Sequence, residues 1–116
     1  MIELPWPPTV NTYYTVARGR KILSSRGRHY KDTAHWLVKT QSNGAPLKGP
    51  ISVFVRAYPP DKRKRDIDNI LKPVLDVLTT AGIYKDDSQV ADLRIQKFEP
   101  SKPGRVEIMV SSNEQS

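Results

Sequence analysis

The segment ISVFVRAYPPDKRKRDIDNILKPVLDVLTTAGIYKDDSQVADLRIQKF, residues 51–98, decides the fold class. At its start Ile51, Val53, Val55 and Ala57 alternate with Ser52, Phe54, Arg56 and Tyr58, the period of two of a strand with one buried face, and Pro59-Pro60 ends it. Ile70, Leu71, Val74, Leu75 and Leu78 then recur at helical spacing with Gly82 as a C-terminal cap, which predicts a helix over 69–81. Pro73 lacks an amide donor and fits the first turn, where that donor is unpaired anyway, so regular helix should begin close to Asn69 or Ile70. A second strand is expected over 89–98.

Downstream, Pro100, Lys102, Pro103 and Gly104 form a turn before a strand at 105–111, and the tail NEQS is expected to fray. Upstream, Tyr30, Ala34, Leu37, Val38 and Gln41 share one helical face after Ser24 or Ser25 as N-cap, predicting a helix over 26–42 closed by Asn43-Gly44. Residues 12–24, TYYTVARGRKILS, place β-prone runs on both sides of Arg18-Gly19-Arg20, as a hairpin does. Residues 2–8 read as a short edge strand interrupted by Pro5, Pro7 and Pro8. The expected fold is α+β: a small mixed sheet of about five strands flanked by two main helices, in one domain over residues 1–116 without internal repeats.

Composition narrows the function. Hydrophobic residues make up 37% of the 116, enough for a modest core, and self-association would bury more surface. The absence of cysteine excludes disulfides, a zinc ribbon and a thiol nucleophile. No apolar run approaches the ~18 residues of a membrane span, and MIELPWPPTV does not read as a signal peptide, so the expected address is cytoplasmic and no membrane partner is expected. The formal charge of +7 sits in the first half, where nine cations between Arg18 and Arg56 face only Glu3 and Asp32. Arg18, Arg20, Lys21, Arg26, Arg28 and Lys31 form an acid-free cluster beside Tyr13, Tyr14 and Tyr30. Such a surface tracks a polyphosphate or is simply a solvated face. Tyr13 and Tyr14 either stack on exposed bases or pack into the core.

Six of the twelve acids fall between Asp66 and Asp92. In extended backbone Asp66 and Asp68 would point the same way, an arrangement that is costly unless a cation neutralises it, and hard oxygen donors select Mg²⁺ or Mn²⁺. Asp86 or Asp87 would join them if the chain doubles back along the helix. Lys62, Arg63, Lys64 and Arg65 directly before Asp66 would draw an anionic backbone against an acidic centre, and Lys72 lies four residues beyond Asp68, placed to contact a phosphate. The same residues also permit ordinary Asp68–Lys72 or Lys72–Asp76 surface pairs. No (D/E)-x-K, no phosphate-binding G-x-x-x-x-G-K-[ST] and no G-x-S-x-G occurs, and His29 and His35 have no ligand-like company. Metal-assisted phosphodiester hydrolysis is the enzymatic chemistry left.

RKRDIDNILKPVLDVLTTAGIYKDDSQVADLRI, together with the opening LPWPPTVNTYY and the closing GRVEIMV, resembles the RusA family of Holliday-junction resolvases. The D-x-D-N…K…DD-x-Q-V order and spacing carry the resemblance, which covers nearly the whole chain. It implies that Asp66, Asp68 and Asp87 are metal-binding catalytic carboxylates, Lys72 the essential lysine and Asn69 a residue that orients the site. It further implies a homodimeric, Mg²⁺-dependent endonuclease that binds four-way DNA junctions and nicks opposing strands symmetrically in recombination and repair, with many prophage relatives. Phage nucleases of forks or other branched DNA, and a non-catalytic DNA-binding module, are the alternatives.

Overall fold

The computed structural model describes residues 1–42 and 44–113. The expected part of Asn43 in a helix cap, and the fraying of the last three residues, lie outside the described residues. In chain order the elements are β1 (Ile2–Pro5), α1 (Val10–Tyr13), β2 (Tyr14–Ala17), β3 (Arg20–Leu23), α2 (Ser25–Gln41), β4 (Ile51–Tyr58), α3 (Leu71–Thr80), β5 (Val90–Lys97) and β6 (Arg105–Ser112). Single 3-10 turns at Ile67–Ile70 and Asp87–Gln89 precede α3 and β5.

The α+β layout with two main helices is present. One mixed sheet runs in the order β1-β6-β4-β5, with β4 parallel to β5 and antiparallel to β6. The alternation of β4 is realised in full: Ile51, Val53, Val55 and Ala57 are buried, and their neighbours Val106, Ile108, Ile2 and Leu4 continue that face. Tyr30, Ala34 and Val38 of α2 and Val74, Val77 and Leu78 of α3 close over it as one apolar cluster. Periodicity predicted these faces because burial is what periodicity encodes. The opposite sheet face packs its own side chains, with the Arg105 guanidinium 4.0 Å above the Tyr58 ring and Tyr58 stacked on Phe98 at 5.2 Å.

The hairpin β2–β3 is a separate two-stranded ribbon. Arg18 (φ 53°) and Gly19 (φ 72°) both adopt left-handed backbone, the turn whose twist matches two antiparallel strands. It starts later than expected: Thr12 and Tyr13 belong to the helical turn α1, not to a strand. Tyr13 is fully buried there and donates from its hydroxyl to Asp76 of α3, which Lys31 of α2 also meets at 3.3 Å. Base stacking by Tyr13 is therefore ruled out in this fold, while Tyr14 is half-buried beneath the Lys21 ammonium, 4.6 Å from the ring. Helix α2 begins where Ser24 caps it, its Oγ accepting from Gly27 N–H. A Cβ on Gly27 would run into the Tyr13 carbonyl, so only glycine lets α2 approach α1 this closely.

Candidate active site

Asp66 has extended backbone, whereas Asp68 lies inside the Ile67–Ile70 turn, closed by Asn69 N–H donating to the Asp66 carbonyl at 3.2 Å. The simple extended-chain rule for Asp66 and Asp68 therefore does not apply: the turn tightens ahead of α3 because Ile70 is drawn into the core. Regular helix follows at Leu71 with Pro73 in its first turn, as the missing donor requires. Both carboxylates are exposed, and among the described residues neither accepts a side-chain hydrogen bond or pairs with a cation.

Asp87 does return to α3. Its Oδ1 accepts from Thr79 Oγ1 and from the buried Tyr84 hydroxyl at 3.1 Å, and its Oδ2 lies 3.8 Å from Lys72 Nζ. Burial, with the neighbouring carboxylate, pushes the Tyr84 hydroxyl above the usual phenol range, so it stays a donor. Lys72 pairs with neither Asp68 nor Asp76 among the described residues; Asp76 is taken by Tyr13 and Lys31. The motif spacing does not mark Thr79 or Tyr84, although Lys72, Leu75 and Thr79 share one helical face, a signal that points along α3 at whatever packs there.

The two adjacent aspartates have separate work. Asp86 caps the Asp87–Gln89 turn, accepting from Ser88 N–H at 2.9 Å, and that bond lowers its pKa. Gln89 completes the capping box: its Oε1 accepts from the Lys85 and Asp86 amides, and its Nε2 donates to the Leu47 and Gly49 carbonyls. Gln89 thus ties the turn that presents Asp87 to the loop before β4.

The basic residues lie on three segments of the chain. Arg18, Arg20 and Lys21 are exposed on the hairpin, Arg26 and Arg28 on the first turns of α2, and Lys62, Arg63 and Lys64 on the loop before Asp66. Helix α1, from which the hairpin grows, packs against the Ile67–Ile70 turn. Arg65 differs: its Nη1 is 2.6 Å from Asp61 Oδ1 and its guanidinium lies 5.9 Å from the centre of the Trp6 ring. That bond holds the Asp61 carboxyl at about 2. Trp6 in turn lines a groove with Pro5, Pro7, Arg26, His29 and Tyr30.

Carboxylate oxygens are the donors a hard divalent cation takes, so Asp66, Asp68 and Asp87 fit such an ion in kind. Among the described residues of one chain, no three acidic or imidazole side chains converge as a metal cluster. No helix among them is long and apolar enough to cross a membrane.

Comparison with known proteins identifies the family. The family described as Endodeoxyribonuclease RusA matches residues 5–111. Crossover junction endodeoxyribonuclease RusA of Escherichia coli (strain K12) is 39% identical over 110 residues, 95% of this chain and 92% of that protein. The protein of the same name from Enterobacteria phage 82 has the same identity and coverage, and that of Escherichia coli O139:H28 is 36% identical over the same length. The chain belongs to the RusA endodeoxyribonuclease family.

Proposed function

We propose that this protein is a Mg²⁺-dependent, structure-selective endonuclease that resolves four-way DNA junctions by paired symmetrical nicks, acting in the cytoplasm as a homodimer of one resolvase domain over residues 1–116. The observation that carries the reading is the meeting of Lys72 of α3 with Asp87 of the turn that follows it, which joins two parts of the motif that lie apart in the sequence. In this reading Asp66, Asp68 and Asp87 hold the metal. When bound, Mg²⁺, or Mn²⁺ in its stead, activates water and stabilises charge developing at phosphorus.

The chain's own groups do the rest. Thr79 and Tyr84 occupy one oxygen of Asp87 and leave the other directed at Lys72. The Lys72 ammonium balances that carboxylate and offers a donor to the phosphate. Asn69, inside the acidic turn, orients the site. Arg18, Arg20, Lys21, Arg26, Arg28, Lys62, Arg63, Lys64 and Arg65 receive the DNA backbone, Arg65 after yielding its bond to Asp61. Two identical sites related by a twofold axis meet two equivalent strands of a junction.

Incubation of the protein with a synthetic four-way junction, a fork and a linear duplex, with Mg²⁺ and with EDTA, tests this. Symmetrical junction nicks that need Mg²⁺ are expected. Preferential cutting of the fork would move the substrate to another branched DNA, and junction binding without cutting in Mg²⁺ or Mn²⁺ would reduce the protein to a binding module.

A further inference from the structure

Close to the acidic turn the chain builds a groove whose apolar walls the proposed chemistry does not use. Strand β1 ends at Pro5, and Trp6, Pro7 and Pro8 carry the chain on along the first turns of α2. Proline fixes its own backbone and restricts the residue before it, so this wall is stiff. The Tyr30 hydroxyl donates to the Pro5 carbonyl at 2.7 Å and ties the segment to the helix. The facing wall is Arg26, His29, Tyr30 and Thr33, spaced i, i+3, i+4 and i+7 along one side of α2. The groove between them has a volume of about 360 Å³, and none of its described lining residues is acidic.

Trp6 is fixed from behind. A Cβ on Gly104, whose φ is 96°, would come 3.0 Å from both Trp6 Cβ and Pro60, so the end of the sheet packs directly on the base of this side chain. The Arg65 guanidinium lies 5.9 Å from the centre of the ring, and Arg65 immediately precedes Asp66. The indole is thus shared between the groove and the basic loop that leads into the acidic turn. Helix α1, which follows the Pro7-Pro8 segment, packs against that same turn.

We infer that this groove is a nucleobase subsite: an unpaired base from the branch point of the DNA stacks on Trp6, while the phosphates of its own strand meet Arg26 and Arg65. The inference rests on the junction-nuclease reading above and names what recognises the branch. Every base has a π-face that stacks on an aromatic side chain whatever the sequence. Within a duplex the bases are paired and stacked, and extruding one is costly, least so for a base already unpaired. The stack is interrupted at a branch point, so the groove favours branched DNA over linear duplex. An acidic peptide would match the charge but not the position, because the groove adjoins the loop entering Asp66, where a strand lies in order to be cut.

Trp6 and Trp36 are the only tryptophans, so Trp36→Phe leaves Trp6 as the sole indole reporter. In EDTA, saturation with a four-way junction should quench its emission, and saturation with linear duplex should leave it nearly unchanged. Trp6→Ala should weaken junction binding by about tenfold and duplex binding far less; Trp6→Phe, which keeps a ring, should retain most of the affinity. Abasic nucleotides placed in turn at the branch-point positions should reproduce that loss with the wild-type protein at one position. The same substitution should add little to Trp6→Ala, since both changes remove one contact. Equal weakening of junction and duplex by Trp6→Ala, or an abasic loss that adds in full to it, would overturn the subsite. Emission unmoved by the junction would also overturn it and leave the groove to a peptide. Quenching and binding without cleavage in Mg²⁺ would sink only the nuclease reading, and cleavage without quenching only this one.

Discussion

Lys72 Nζ lies 3.8 Å from Asp87 Oδ2, and the other oxygen of that carboxylate is held by Thr79 and Tyr84, so the acid is fixed from two sides. Its neighbour Asp86 is occupied as a turn cap. Asp87→Asn should therefore abolish cleavage while junction binding survives. Asp86→Asn, which keeps a good capping side chain, should retain most activity. Cleavage and gel-shift assays on both variants check the ranking, and the reverse order would mean that the motif is misregistered.

Tyr84→Phe removes a donor to Asp87 and to the Leu75 carbonyl while keeping the ring in the core. A stability loss of about 1 kcal/mol is expected from the bond itself. If Tyr84 positions Asp87, single-turnover cleavage should fall by about tenfold, for ~1.4 kcal/mol of lost transition-state stabilisation, with junction affinity unchanged. An unaltered rate would leave Tyr84 a packing residue.

Gly27→Ala should destabilise by about 1–3 kcal/mol, since the new methyl group meets the Tyr13 carbonyl where α1 and α2 touch. Thermal melting should show a midpoint lower by about 4 °C or more. A melt equal to wild type would mean that α1 and α2 part easily.

The protein should be sensitive to alkali. Burial raises the ionisation of Tyr13, Tyr30 and Tyr84 above the ordinary phenol value, with Asp76 adding to the effect at Tyr13. A raised folded value means that the stabilisation is complete below about pH 10, where the unfolded tyrosines are also protonated, and is lost as pH rises beyond it. Each tyrosine contributes a loss of ~1.4 kcal/mol per pH unit, so three together remove ~4 kcal/mol per unit. Circular dichroism and phenolate absorbance should change together, steeply, above about pH 10. Phenolate formation by more than two of the five tyrosines without unfolding would show that these hydroxyls reach water.

Replacing Arg18, Arg20 and Lys21 together by Gln should weaken junction and duplex binding alike. The salt slope of log K should flatten by about 0.9 for each DNA phosphate that the protein no longer neutralises, up to roughly 3 per subunit. Titrations across a salt series measure it; an unchanged slope would remove the hairpin from the DNA surface. A disproportionate fall in junction preference would instead assign the hairpin a role in recognising the crossover.

The elements were legible in the sequence because one residue's burial depends on near neighbours. The alternation Ile51–Tyr58, the helical spacing of Val74 and Leu78, the Ser24 cap and the glycine turn of the hairpin are local patterns with local causes. The motif order also told which acids to watch. Tertiary packing alone decided that Tyr13 turns inward to Asp76 and that Asp68 enters a 3-10 turn, and it brought Asp87, the aspartate the family resemblance picks, to Lys72. It also set Trp6 against one side of α2 as a groove. Each of these depends on a side chain meeting groups brought close by core packing, and the spacing of charged residues along a chain does not encode which of them the packing brings within hydrogen-bond reach.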